Sequence, residues 1–184
     1  MIPEVANMQR KPLGDAPCPI ARSLARVGEP WNILILREAF YGLSRFDEFQ
    51  KQLGIAPNML ARRLDSLVRD GLLARRQYCD RPPRWEYLLT TRGREFRPVM
   101  LALLAWGNRH FAPEGESIQL VDRHTGATVT PLLVDAANGN PITEADHRIA
   151  AGPAASERLR ARLEKSAAAR AAAISHVPRP AGVI

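Results

Sequence analysis

The stretch RFDEFQKQLGIAPNMLARRLDSLVRDG, residues 45–71, decides the fold of this 184-residue chain. Gly54 separates it into two halves, and each half repeats apolar residues at the three- and four-residue spacing of an amphipathic helix. These residues are Phe46, Phe49 and Leu53 in the first half and Leu60, Leu64, Leu67 and Val68 in the second. Two short helices joined by only a few residues have the spacing of a helix-turn-helix.

Capping residues, prolines and glycines mark the ends of both predicted helices. Ser44 can cap the first helix, with Asp47 as the acidic partner in a weak form of the capping box. Pro57 suits the first position of the second helix, because a helix needs no N–H there, and Gly71 closes that helix.

The flanking sequence extends this motif into a winged helix. Further helices are predicted over Ile20–Val27, Trp31–Tyr41 and, with Thr90 as its cap, about Thr91–Phe111. Two alternating segments, Leu72–Tyr78 and Arg84–Leu89, predict strands joined by a turn at Cys79–Pro83. The expected fold is therefore mainly α with a small β wing.

An internal repeat follows the winged helix. Leu120–Asp122 recurs 13 positions later as Leu133–Asp135, and a turn-forming pair ending in glycine follows each copy. We expect two small β-hairpins stacked as one module. The predicted organisation is a flexible arm at 1–16, a winged helix-turn-helix DNA-binding and dimerisation domain at 17–112, the hairpin module at 113–150, and an Ala- and Arg-rich helix (about 154–176) and tail at 151–184.

The net charge of +7 lies entirely in the first part of the chain. Residues 1–113 hold 18 Lys and Arg against 11 Asp and Glu, whereas residues 114–184 hold 8 of each. A basic domain beside a neutral one favours a polyanionic partner such as nucleic acid, although a basic surface without a partner is the alternative.

The second helix of the motif is the expected DNA-contacting element, because a helix fits the major groove and its N-terminal half meets base edges there. Arginine can bind guanine through two hydrogen bonds, and asparagine can bind adenine in the same way. Arginines at a proline-stiffened wing tip suit phosphates or the minor groove. The predicted DNA-binding residues are Pro57, Asn58, Met59, Arg62 and Arg63 on the helix, Arg45 and Arg69 at phosphates, and Arg81 and Arg84 on the wing.

Other functional classes find little support in the sequence. The four histidines are scattered, no glycine-rich phosphate loop or nucleophile elbow is present, and two cysteines cannot complete a zinc site. We therefore expect no enzyme activity, no cofactor and no metal. Without an apolar run of about 18 residues or a signal peptide, a cytoplasmic protein with no membrane contact is expected.

Two further features suggest partners and regulation. The apolar face of Thr91–Phe111 is too wide for one small domain to cover, and a two-fold partner would bury it self-complementarily. The expected dimer contacts are Phe96, Met100, Leu103, Leu104 and Trp106.

Cys18 is either a small buried side chain or a redox-sensing thiol, activated by a helix N-terminus and by Arg22 one turn away.

Spaced motifs throughout the first domain carry a family resemblance. They are Cys18–Ile20, Gly28, Trp31, Leu34–Arg37, Arg45–Phe49, Ile55–Leu60, Arg62–Leu64, Asp70–Leu72, Pro82-Pro83, Glu86-Tyr87, Leu89-Thr90 and Gly93. Together they resemble the HxlR-type winged helix-turn-helix regulators, a MarR-like family, over about residues 17–112. The resemblance implies a recognition helix at Pro57–Asp70 and a dimer formed by the first helix and the long helix after the wing. It also implies that the cysteine matching Cys18 serves as a redox sensor in some members.

The sequence departs from this family pattern at two places. Ala56 stands where a capping Ser or Thr is common, which should weaken the start of the recognition helix by about 1 kcal/mol. The family resemblance implies that longer relatives carry two Cys-x-x-Cys-Gly knuckles after the winged helix, where this chain has its repeat. Here the cysteine positions of those knuckles are occupied by Asp122, Thr125, Asp135 and Asn138. The repeat is therefore either a zinc-ribbon-like module without its metal or an unrelated pair of hairpins.

These observations predict a transcriptional regulator, and more specifically a repressor, that binds an inverted-repeat operator in double-stranded DNA as a homodimer. One alternative is a regulator switched by a small-molecule effector or by oxidation. In that case the ligand pocket would lie between the dimer helices or under the hairpin module. The other alternative is a winged helix used for protein–protein contact.

Overall fold

A computed structural model describes residues 12–174 of the chain. Its helices are α1 Pro19–Val27, α2 Pro30–Phe40, α3 Phe46–Leu53, α4 Pro57–Arg69, α5 Thr91–Glu95, α6 Arg97–Phe111 and α7 Glu157–Ile174, and its strands are β1 Leu73–Asp80 and β2 Pro83–Leu89. This element order confirms the predicted winged helix and the C-terminal helix. The chain divides into two compact units at Pro131 and Leu132, a boundary inside the segment predicted as one hairpin module.

The core of the first unit is built from the apolar stripes that the sequence predicts. Its fully buried side chains are Ile35, Leu36, Phe49, Leu60, Leu64, Leu67 and Leu73, from α2, α3, α4 and β1. Gly93 lets α5 approach this core closely, because a Cβ atom there would overlap the carbonyl oxygen of Leu72. The inner face of α4 is held against this core by Leu60, Leu64 and Leu67.

The wing is an antiparallel hairpin that pairs Leu73 with Leu89 and Asp80 with Pro83. Both strands reach further than predicted, so that only Arg81 and Pro82 remain as the connection. The segment before α3 joins the same ladder, because Tyr87 donates its N–H to the carbonyl of Ser44 at 2.7 Å. This contact fixes the start of α3 beside the wing.

The prediction of one long helix over Thr91–Phe111 is wrong, because the structure has two helices there, α5 and α6, separated at Phe96. Pro98 lies at the second position of α6 and has no N–H to donate to Arg94, four residues earlier, so a continuous helix would lose a hydrogen bond there. The apolar residues assigned to one face therefore belong to two segments.

The predicted capping box is also corrected. Arg45 rather than Ser44 is the N-terminal cap residue of α3, and Glu48 rather than Asp47 is the acidic partner. The Glu48 carboxylate accepts the N–H groups of Arg45 and Ser44 at 2.9 and 3.1 Å. These hydrogen bonds, led by that of Arg45, hold the pKa of Glu48 below its ordinary value.

The segments outside the winged helix differ in part from expectation. Within the arm predicted at 1–16, Leu13–Asp15 forms a 3-10 turn, and residues 1–11 lie outside the described range. Each repeat forms only a minimal hairpin, a tight turn closed by a single antiparallel bridge, Val121 with Thr128 and Val134 with Pro141, without extended strands. The helix predicted at 154–176 begins at Glu157, where the Ser156 hydroxyl accepts the Leu159 N–H at 3.3 Å.

Candidate nucleic-acid interface

A left-handed glycine makes the turn between α3 and α4. Gly54 has φ 60° and donates its N–H to the carbonyl of Gln50 at 3.0 Å, a conformation that favours glycine. Ile55 follows and is buried, which anchors the turn to the core. Pro57 occupies the first turn of α4, and the preceding Ala56 offers no side-chain acceptor to the helix. These contacts direct the start of α4 outward.

The outer face of α4 is polar and open to solvent. Asn58, Met59, Arg62 and Arg69 are exposed, as is Pro57 at the helix start, while Leu60, Leu64 and Leu67 are buried behind them. With 3.6 residues per turn, Asn58, Arg62 and Arg69 share one side of the helix, opposite the leucines. An exposed helix face with an amide and two guanidinium groups can donate hydrogen bonds to acceptors on base edges and phosphates.

Arg63 is placed apart from this face, although it is adjacent to Arg62 in sequence. Its guanidinium lies 3.0 Å from the carboxylate of Glu29, and the side chain is only 24% exposed. Its Nε atom is buried without a hydrogen-bond partner among the described residues. Arg62 therefore shares the exposed face of α4 with Asn58 and Arg69, whereas Arg63 forms an ion pair with another residue of the same chain.

The wing tip presents the two predicted arginines to solvent. Arg81 and Arg84 are exposed on either side of Pro82 and Pro83. The tip is braced from within by Gln77, whose amide donates to the carbonyl of Cys79 at 3.2 Å and to the carboxylate of Asp80 at 3.0 Å. The wing arginines thus extend from an ordered turn.

Arg45 lies between α3 and the wing and connects the two. It is exposed, it pairs with Glu86 of β2 through a backbone bridge, and its guanidinium lies 4.8 Å from the centre of the Tyr78 ring. A cation over an aromatic face is electrostatically favourable and limits the motion of the side chain. Arg45 is thereby held between α3 and the wing, and it stays exposed to solvent.

Two further arginines of the wing were not among the predicted site residues. Arg75 is exposed and stacks over the ring of Trp85 at 4.0 Å, whereas Arg76 pairs with Glu86 at 2.7 Å. Strand alternation puts them on opposite faces of the hairpin. The adjacent pair of arginines is visible in the sequence, but only the fold shows that Arg76 forms an ion pair and that Arg75 forms none with the acidic residues of the described range.

Only some of the side chains predicted to form the dimer contact are exposed in the structure. Leu103 and Trp106 of α6 are 41% and 56% exposed, and Ile20 and Leu24 of α1 are 67% and 51% exposed. Phe96, in contrast, packs against the core. Met100 and Leu104 are half-buried, and Leu104 lines a cavity on another side of α6.

Cys18 is exposed, so the interpretation as a buried side chain is wrong for the single chain. It is the N-terminal cap residue of α1. Arg22, which was expected to activate its thiol, donates its Nε–H to the carbonyl of Ala16 at 2.6 Å. Cys79, on the wing, is half-buried, with its sulfur 3.7 Å from the carbonyl of Arg81.

Residues 12–174 contain neither a metal-binding cluster nor a membrane-spanning helix. No group of three His, Cys, Asp or Glu side chains in that range could hold a metal ion. None of the helices described is long and apolar enough to cross a membrane.

Several known proteins are similar to this chain in sequence and in fold. The sequence profile of the HxlR-like helix-turn-helix family matches residues 26–115. The HTH-type transcriptional regulator Mb3122 of Mycobacterium bovis is 40% identical over 125 residues, which cover 67% of this chain and 79% of that protein. The HTH-type transcriptional regulator YdeP of Bacillus subtilis is 37% identical over 94 residues, which cover 50% of this chain and 73% of YdeP.

Two solved structures extend the similarity beyond the winged helix. PA1374 from Pseudomonas aeruginosa, described as a candidate transcription factor, is 53% identical with a TM-score of 0.59, and the match covers 79% of this chain and 100% of that one. PA1607, described in the same way, is 38% identical with a TM-score of 0.68 over 76% of this chain and 98% of that one. The fold and these relatives define a transcriptional regulator with a helix-turn-helix DNA-binding domain. The chain belongs to the HxlR-like helix-turn-helix family.

Proposed function

We propose that this regulator acts in the cytoplasm as a homodimer that binds an inverted-repeat operator and represses transcription by occupying a promoter. The observation that carries the proposal is the exposed face of Asn58, Arg62 and Arg69 on α4, next to the exposed arginines of the wing. In this arrangement α4 enters the major groove, while Arg81 and Arg84 reach phosphates or the minor groove. No catalytic step is part of the proposed role.

The proposed dimer rests on the apolar side chains that one chain leaves uncovered. Leu103 and Trp106 of α6 and Ile20 and Leu24 of α1 are all more than two-fifths exposed. A second copy would bury both patches in a two-fold arrangement. Two recognition helices would then lie about one DNA turn apart, so half-site centres about 10 base pairs apart, or a multiple of that, are expected.

Selection of bound fragments from the source genome tests the operator proposal. We expect an inverted repeat to be enriched, and binding to that repeat to weaken steeply as salt increases because protein binding releases counterions from the DNA. If no fragment is enriched and binding to any duplex is absent at low salt, the winged helix serves another partner, such as a protein.

A small-molecule effector is a second candidate function, favoured by a cavity of about 230 Å³ in the first unit. Residues of α6 line one side of this cavity, and residues of the first repeat turn line the other. The lining combines apolar Leu101, Leu104, Leu120 and Val129 with polar Asn108 and Thr130. If this cavity senses a ligand, filling it with Ala105→Phe should alter the response of operator binding to metabolites while leaving binding itself intact.

Regulation by oxidation of the exposed Cys18 thiol is a third candidate function. Mild oxidant should then weaken operator binding by the wild type, and Cys18→Ser should remove that response. Equal behaviour of the two proteins would instead assign Cys18 a structural role.

A further inference from the structure

We propose that Glu29 is a positioning residue for the recognition helix, and that Arg63 acts through Glu29 rather than by contacting DNA. This inference rests on the proposed DNA-binding function and refines it. It divides the arginine pair Arg62-Arg63 into one residue that faces the DNA and one that holds the helix.

The Glu29 carboxylate is not used at its own helix. Glu29 is the N-terminal cap residue of α2, and its side chain makes no hydrogen bond to the first turn of that helix. The carboxylate reaches across to α4 instead and lies 3.0 Å from the Arg63 guanidinium. The ion pair therefore ties the start of α2 to the middle of α4.

The position of Arg63 on the helix supports the same division. Arg63 lies toward the buried side of α4, between the outward Arg62 and the buried Leu67, whereas Asn58 and Arg62 lie on the outer side. Its Nε atom is already removed from solvent. To reach a base edge, Arg63 would have to break the ion pair and leave this half-buried position.

The other end of the contact is anchored to α1. Asn32 is 2% exposed and donates its side-chain N–H to the carbonyl of Arg26, near the end of α1, at 2.7 Å. Its backbone N–H is donated to the carbonyl of Glu29 at 2.9 Å. The junction between α1 and α2 is thus fixed internally, and Glu29 extends from it to α4. These contacts link α1, the start of α2 and α4 in one chain of polar interactions.

The test combines Glu29→Gln, Arg63→Gln, the double variant and the matched control Arg62→Gln in the full chain. Operator binding is measured at several salt concentrations and on singly altered operators. We expect Glu29→Gln and Arg63→Gln each to weaken binding by about two- to tenfold, with the double variant no weaker than the poorer single one. Base preference and salt dependence should stay unchanged in all three, because no DNA contact is lost.

Arg62→Gln, in contrast, should relax base preference or lower the salt slope by about one. The reversed pair Glu29→Arg with Arg63→Glu should recover binding that either reversal alone loses, a rescue that simple loss of packing would not give. Unfolding by denaturant, measured without DNA, should show the same coupling between positions 29 and 63.

Several results would overturn the proposal. Tighter binding by Glu29→Gln would mean that Glu29 masks a DNA-contacting Arg63. A changed base preference or salt slope in Arg63→Gln would give Arg63 a direct contact. Additive losses in the double variant would remove the coupling. If coupled unfolding is seen but the wild type binds no DNA, the proposed function fails and the ion pair is only a structural contact.

Discussion

The winged helix and the two repeat turns are held together by different physical means. The winged helix buries Phe49, Leu60, Leu64 and Leu67 completely. No residue between 113 and 150 is buried, and each turn is closed instead by an aspartate. Asp122 accepts the N–H groups of His124 and Thr125 at 2.9 and 2.7 Å, and Asp135 accepts that of Ala137 at 2.9 Å.

This difference shows how a short segment can keep one shape without an apolar core. A carboxylate that gathers several backbone N–H groups fixes a turn locally, but it adds no apolar burial to the stability of the domain. The winged helix should therefore unfold as a cooperative unit, whereas each turn should respond only to changes in its own hydrogen bonds. The predictions below probe that contrast, from the largest expected effect to the smallest.

Leu64→Ala should have the largest effect. Leu64 is fully buried on the inner face of α4, and a cavity in such a position typically costs about 2–5 kcal/mol. Denaturant unfolding followed by tryptophan fluorescence measures this loss. Asp122→Ala is the matched control in the other region and should leave this transition in place. Equal destabilisation by both variants would show that the turn is part of the cooperative core.

Trp106→Glu should produce a monomer. The indole is 56% exposed on α6, and placing a charge in a buried apolar contact should weaken association by at least about 2 kcal/mol. Sedimentation at micromolar concentration measures the change. Tyr41→Glu, at an aromatic side chain that is 58% exposed outside the proposed interface, is the control and should remain dimeric. A wild type that sediments as a monomer would exclude the proposed dimer.

The same contrast explains what the sequence could and could not predict. The α3–α4 motif and the wing were predictable because apolar periodicity records burial directly, as at Leu60, Leu64 and Leu67. The break at Phe96 cannot be predicted from apolar periodicity, which continues across it. It follows from Pro98, whose missing N–H is tolerated only near a helix start.

The contacts of charged side chains were the least predictable part of the candidate site. Arg62 and Arg63 are chemically identical, and only the packing of α2 against α4 shows that one faces solvent and the other faces Glu29. In the repeat, turn residues correctly indicated chain reversals, but strands do not extend from them. No buried face is available there to support pairing beyond a single bridge in either turn.

Arg62→Ala and the wing variants Arg81→Ala and Arg84→Ala should weaken DNA binding in different ways. Loss of a base contact by Arg62 should cost about 1–3 kcal/mol on the operator and relax base choice. Loss of a wing arginine should weaken binding to all sequences alike and lower the salt slope by about one. Titration of singly altered operators at several salt concentrations separates the two. The opposite pattern would exchange the roles of helix and wing.

The smallest effect concerns the pH dependence of the first turn. The N–H of Thr125, the Thr125 hydroxyl and the N–H of His124 hold the pKa of the exposed Asp122 carboxylate below its ordinary value. A carboxyl pKa that is lower in the folded than in the unfolded chain stabilises the fold above the unfolded value, about 3.9 for Asp, and this contribution disappears as the pH falls through the folded value. The amide NMR signals of His124 and Thr125 should therefore shift toward unstructured positions only in that acidic range, and Asp122→Asn should remove the transition. A transition that persists in Asp122→Asn would assign it to another group and would leave the turn without its proposed carboxylate support.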